Sequence, residues 1–148
     1  MRQDAEVHRQ VIGECLGEED WAEWPPEKRS QRIVEAIRGR ESAPQNLSTT
    51  ARKTIAAFQA IAFCRRKYGN QAIGPFVVSM TQGADDILSV LLLAGWGDLS
   101  NRRGEIPLDI APLLETVGDL EKGPAILQEL LTTDLYREHL RTRRDRQT

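Results

Sequence analysis

From Ile106 to Leu114 every residue except Asp109 is apolar, two are prolines, and the run stops on Glu115 before passing straight into Thr116-Val117-Gly118-Asp119. A short apolar run with proline at its margins suits a strand. Thr116, backed by Asp119, offers side-chain oxygens to the free N–H groups of a helix over Asp119–Leu131. Glu115 then lies at the C-terminal mouth of a strand, where parallel α/β architectures place their chemistry because the βα loops vary while the sheet beneath them is packed. Spacing alone leaves two readings of Glu115 open: a water-facing carboxylate that supports the cap, or a functional group at the mouth.

The same grammar occurs once more upstream. Ile73-Gly74-Pro75-Phe76-Val77-Val78-Ser79-Met80 is a continuous apolar run with proline near its start, which predicts a strand buried on both faces. Ala84–Ala94 restores helical periodicity through Ile87, Leu88, Val90, Leu91 and Leu92, and the second strand follows near Leu108–Leu114. Strand, helix, strand, helix is a βαβα unit with a parallel pair. Asp85 and Asp86 suit the first turn of their helix for dipole reasons. Ala125, Ile126, Leu127, Leu130 and Leu131 mark the core face of the helix after Glu115. A last helix from about Thr133 turns Leu135, Tyr136 and Leu140 inward and Arg137, Arg141, Arg143, Arg144 and Arg146 outward. Asp134, Glu138 and Asp145 interrupt that arginine face, as on a solvated surface.

Residues 1–72 read as mainly helical and residues 73–148 as the βαβα unit with its terminal helix. Arg2 to Leu16 predicts a helix with Val7, Val11, Ile12 and Cys15 as one stripe, closed by Gly17. Pro26 opens a helix over Glu27–Arg38, and Ser48-Thr49-Thr50 cap a longer one from Thr50 to Lys67 with Ile55, Phe58, Ile61 and Ala62 on one face. His8 sits one residue off its stripe as a surface or packing residue. Trp21 and Trp24 lie among acids that would repel a phosphate backbone, so they anchor the connector rather than stack on bases. Gly83, Gly95 and Gly97 read as isolated turn glycines.

Twenty basic residues against twenty-two acidic ones give a net charge of −2, so no overall field draws the chain to nucleic acid or to an anionic membrane. No apolar run approaches the ~20 residues of a membrane span, and the expected location is cytoplasmic. Cys15 and Cys64 are far apart, without a CxxC pair and with only two histidines in the chain, which suggests neither a disulfide framework nor a zinc site.

Pro112 to Leu120, continued by Glu121-Lys122-Gly123-Pro124-Ala125, resembles the "PLFETxxDLxxAP" signature of the phosphoenolpyruvate carboxylase family. Val77-Val78-Ser79-Met80-Thr81 with Asp85-Asp86-Ile87-Leu88-Ser89-Val90-Leu91-Leu92-Leu93-Ala94 is similar to that family's "VISMTxxxSDVLEVLLLA" stretch. Arg2-Gln3-Asp4-Ala5 resembles the end of its "LDIRQ" strand. Tyr136-Arg137-Glu138-His139-Leu140 and Asp145-Arg146-Gln147-Thr148 resemble the run before its "VMLGYSDS" strand. The chain departs from the pattern at Leu114, where the family usually has Phe, and at Gly118, where a polar or acidic residue is usual.

The resemblance implies an internal piece of a (β/α)₈ barrel, an α/β, helix-rich fragment contributing about two parallel strands, since a closed barrel takes eight strands and about 250 residues. It implies carboxylation of phosphoenolpyruvate with bicarbonate to oxaloacetate and phosphate, through carboxyphosphate and a metal-bound enolate. It also implies a cytoplasmic enzyme that uses Mg²⁺ or Mn²⁺ and is a homo-oligomer when complete. By resemblance Glu115 is a metal carboxylate and Arg2 binds the substrate phosphate, while the family's catalytic histidine and lysine fall outside these residues, so the piece alone is expected to be inactive. Two alternatives stay open. One is a non-catalytic, α-rich helper or regulatory module docking onto a larger barrel subunit through exposed strand edges. The other is a different barrel enzyme with a strand-end Glu on Mg²⁺.

Overall fold

Three short parallel strands form the sheet: β1 (Arg2–Asp4), β2 (Phe76–Ser79) and β3 (Ile110–Pro112), in the order β1-β2-β3. The structure, a computed structural model, describes all 148 residues. Six helices accompany the strands: α1 (Ala5–Leu16), α2 (Pro26–Arg38), α3 (Thr49–Tyr68), α4 (Ala84–Trp96), α5 (Val117–Thr132) and α6 (Asp134–Thr142). A single 3₁₀ turn at Trp21–Glu23 carries the connector between α1 and α2. None of the helices is long and apolar enough to cross a membrane.

Register fixes what each face of the sheet presents. Arg2 pairs with Val77, and Val77 with Ala111, so these three form one row across all the strands. The alternate residues Phe76 and Val78 are fully buried against the helices, whereas Val77 and Ala111 are only half-buried on the opposite face. β2 is therefore covered by helices on one side only, not on both as its apolar run suggested. α4 is the centre of the helical layer, packing on α1, α2, α3 and α5. From Ala84 to Ala94 it is buried at every position, which explains why its sequence is apolar nearly all round.

Arg2–Asp4, expected as the start of a helix, is instead a third strand. Asp4 is extended (φ −85°, ψ 131°), and its carboxylate caps α1 by accepting from the Glu6 N–H at 2.8 Å. Three residues carry too little pattern to signal a strand; pairing with β2 decides it. β2 is central, so its edges are both paired, and on the outer edge of β3 the Gln147 side chain donates to the Ile110 carbonyl at 3.0 Å. Val7, placed on the α1 stripe, is exposed, and the buried stripe runs through Ala5, His8, Val11 and Ile12. On α5, Ile126 and Leu130 are core residues but Leu127 and Leu131 face outward. Trp21 is buried and Trp24 half-buried, as expected of connector anchors. Gly97 is more than a turn residue, because a Cβ there would come within 2.4 Å of the Phe58 Cβ and 3.1 Å of its backbone carbon. Its missing side chain is what lets the end of α4 close onto α3.

Candidate functional site

Each strand runs into a helix at the same end of the sheet, so the turns after β1, β2 and β3 share one rim. Glu115 stands on that rim between β3 and α5. Behind it Thr116 accepts from the Asp119 N–H at 3.1 Å and Asp119 accepts from the Thr116 N–H at 3.0 Å, a reciprocal capping box that starts α5 at Val117. Asp119 titrates below the usual carboxylate range because Thr116 donates to its ionised form. The cap is thus complete without Glu115, whose carboxylate is left for other partners.

Those partners come from the other two strands. The Arg2 guanidinium, from the open face of β1, donates to Glu115 Oε1 at 2.8 Å, and the Met80 N–H, just after β2, donates to Glu115 Oε2 at 3.3 Å. The structure brings together Arg2 and Glu115, the two residues singled out in the sequence, although 113 positions separate them. The pair is open to solvent, with side chains 59% and 29% exposed. Met80 holds its N–H toward Glu115 from a left-handed conformation (φ 56°), an uncommon and strained one for a residue with a side chain.

The loop that holds Met80 is fixed from below by charge. Asp86 accepts from the Gln82 N–H at 2.8 Å and the Gly83 N–H at 3.2 Å, and its other oxygen pairs with Arg9 of α1 at 3.0 Å. Arg9 also pairs with Glu6. Beside it Asp85 pairs with Arg29 of α2 at 2.7 Å, and Arg29 donates onward to the Trp24 carbonyl. Both aspartates are 2% exposed. Burial, and next the neighbouring Asp86 charge, push the Asp85 carboxyl up to about 6 despite Arg29. Reading these acids only as helix-dipole partners missed the network. The available signal was two acids opening a helix otherwise apolar on every face, since buried carboxylates require cationic partners.

Neither histidine belongs to the rim. His8 is fully buried between Phe58 and Phe76 and shares a 2.8 Å hydrogen bond with Gln3, while His139 is buried beside Tyr136. Burial lowers both to about 4, so they are neutral packing groups at neutral pH. Cys15 and Cys64 are free thiols. No three His, Cys, Asp or Glu side chains are placed to share a metal ion. A carboxylate oxygen of Glu115 suits a hard divalent cation, but it is one ligand where Mg²⁺ takes about six, and Oε1 is already committed to Arg2. The residues present therefore fit a metal as a single ligand, not as a complete site.

Comparison with known proteins shows the family. The family model described as phosphoenolpyruvate carboxylase matches residues 1–148. A phosphoenolpyruvate carboxylase of Xanthomonas campestris pv. campestris (strain 8004) is 37% identical over 147 residues, covering 99% of this chain and 16% of the relative. That of Mycobacterium leprae (strain TN) is 33% identical, covering 93% of this chain and 16% of the relative. Phosphoenolpyruvate carboxylase 1 of Zea mays is 31% identical, covering 95% and 14%. The chain thus spans about a sixth of the length of these relatives, and along all of that span it belongs to the phosphoenolpyruvate carboxylase family.

Proposed function

We propose that these residues form part of the active-site wall of a phosphoenolpyruvate carboxylase, an arc of its (β/α)₈ barrel, which carboxylates phosphoenolpyruvate with bicarbonate to give oxaloacetate and phosphate. The observation that carries the reading is the convergence of Arg2 and Glu115, from strands on either side of β2, at the rim where a parallel sheet leaves its loops free. Arg2 offers a planar, permanently charged guanidinium suited to two oxygens of the substrate phosphate. It reaches over the open face of the sheet, on the side that a barrel turns inward. Glu115 offers one hard oxygen to Mg²⁺ or Mn²⁺, and its remaining ligands would come from outside these residues. When bound, such a cation stabilises negative charge developing on a substrate oxygen. The Met80 N–H holds the Glu115 carboxylate in place, and a rigid sheet beneath keeps both groups within a rotamer of their working geometry.

A transition state held by several loops cannot be assembled from three strands, so the 148-residue chain alone is expected to form no oxaloacetate. The positive test is a chimera in which these residues replace the matching segment of the Xanthomonas relative. It should retain Mn²⁺-dependent turnover. Glu115→Gln, which keeps size and hydrogen bonding but removes the charge, should lower that turnover by about 100-fold or more. A Glu115→Gln chimera with unchanged metal affinity and rate would show the carboxylate to be no ligand.

A further inference from the structure

Met80, just past the end of the central strand, lies in the left-handed region (φ 56°), which its side chain disfavours, so the conformation persists only where the surroundings impose it. Both flanks are pinned. Before it, the Ser79 hydroxyl donates to the Gln3 carbonyl of β1 at 3.1 Å. After it, the buried Thr81 hydroxyl donates to the Val78 carbonyl at 2.8 Å, and the Gln82 and Gly83 N–H groups both end on one oxygen of Asp86. Gly83 has no room for a side chain, since a Cβ there would lie 2.3 Å from Asp85 Oδ1 and 3.3 Å from the Pro26 Cβ. The path left to the loop is the one that turns the Met80 N–H onto Glu115 Oε2.

Asp86 carries this order to a second element. Its other oxygen meets the Arg9 guanidinium of α1 at 3.0 Å, with both side chains largely out of water. An ionised carboxylate accepts from backbone N–H groups more strongly than a neutral amide does, and away from solvent it keeps its charge only beside a cation. A continuous route thus runs from α1 to the rim: Arg9, Asp86, the two loop amides, Met80 and Glu115. Asp85 has no such route. It is next in sequence and equally buried, but its Oδ2 meets Arg29 and its Oδ1 has no hydrogen-bond partner, so it holds none of the loop amides. Two adjacent carboxylates of equal burial therefore differ in one respect, the connection to Glu115.

Resting on the reading of Glu115 as a metal ligand, we propose that Asp86, paired with Arg9, is a positioning residue for that carboxylate, acting through the Met80 N–H to set affinity for a divalent cation, whereas Asp85 serves the fold alone. The test uses two matched changes, Asp86→Asn and Asp85→Asn, each of which keeps the shape and removes one charge. In the Xanthomonas chimera, Mn²⁺ binding without substrate is read by electron paramagnetic resonance. Asp86→Asn and Arg9→Met should each weaken it by about tenfold, and Asp85→Asn should change it by less than about twofold. In the 148-residue chain, hydrogen exchange at the Met80 amide should quicken by about tenfold with Asp86→Asn and hold steady with Asp85→Asn. Equal effects of the two aspartates on Mn²⁺, or none of Arg9→Met, would reduce Asp86 to a structural role and overturn the proposal. Unchanged Met80 exchange in Asp86→Asn overturns it too, whether or not the chimera folds. A Glu115→Gln chimera that binds Mn²⁺ as its parent does overturns the ligand reading and the proposal together. Affinity lost with Glu115→Gln but kept with Asp86→Asn overturns the proposal alone.

Discussion

Two carboxylate–arginine pairs stand within a few residues of the same sheet edge, Glu115 with Arg2 and Asp85 with Arg29, and they differ mainly in access to water. Their distances are nearly equal, 2.8 and 2.7 Å. The first pair is 29% and 59% exposed; the second is 2% and 8% exposed. In water an ion pair contributes little, because each partner is almost as well solvated alone, so Glu115 and Arg2 can exchange one another for water at small cost. In the interior neither partner of Asp85–Arg29 has an alternative, and loss of one strands a charge without solvent. The same chemistry thus serves a replaceable contact at the rim and a fixed clamp beneath it. Asp86 with Arg9 connects the two levels, since it holds the loop whose Met80 N–H reaches Glu115.

The comparison breaks most readily at the buried pair. Asp85→Ala should destabilise the chain by about 3–5 kcal/mol in urea melts, and Asp85→Leu combined with Arg29→Met should recover most of that loss. A small effect of the single change would mean that water reaches the clamp.

Acid tests the buried layer as a whole. His8 and His139 bind protons at 6.5 when unfolded and at about 4 when folded, so the stability tied to their neutrality is present above pH 6.5 and is lost as pH falls toward 4. Each histidine corresponds to about 3 kcal/mol over that window. Asp85 acts in the opposite sense: its folded value near 6 lies above the unfolded 3.8, so its contribution is lost as pH rises from 3.8 to 6. Two groups against one leave a net fall in stability on acidification. His8→Phe should make the chain's stability nearly independent of pH between about 6 and 4.5, as read from urea midpoints.

A smaller loss is expected at the connecting level. Asp86→Asn should cost about 1–3 kcal/mol and speed hydrogen exchange at the Gln82 and Gly83 amides, because the amide keeps an acceptor but loses the charge that Arg9 pairs with. Glu115→Gln should change stability by less than about 1 kcal/mol, the smallest effect of the four. A larger value would make Glu115 part of the clamp and end the distinction.

The sequence by itself determined the elements with strong period and chemistry. The apolar runs around Phe76–Ser79 and Ile110–Pro112, the box of Thr116 and Asp119, and the family signatures that single out Arg2 and Glu115 were all legible, because each is local or is a contiguous word. β1 was legible only through its resemblance to the family's "LDIRQ" strand and not from its own period, which read as helix, since three residues acquire strand character only from pairing with β2. Val7, Leu127 and Leu131 were not legible as exposed residues, because helical periodicity marks an apolar stripe without saying which edge of it a neighbour covers. Tertiary structure alone decided that Gly97 must lack a side chain against Phe58, and that Asp85 and Asp86 are buried clamps while Glu115 stays within reach of solvent. The physical reason is the same in each case. Residue type and local spacing set what a group can do, but desolvation and partners set what it does, and these depend on chain segments brought from tens of residues away.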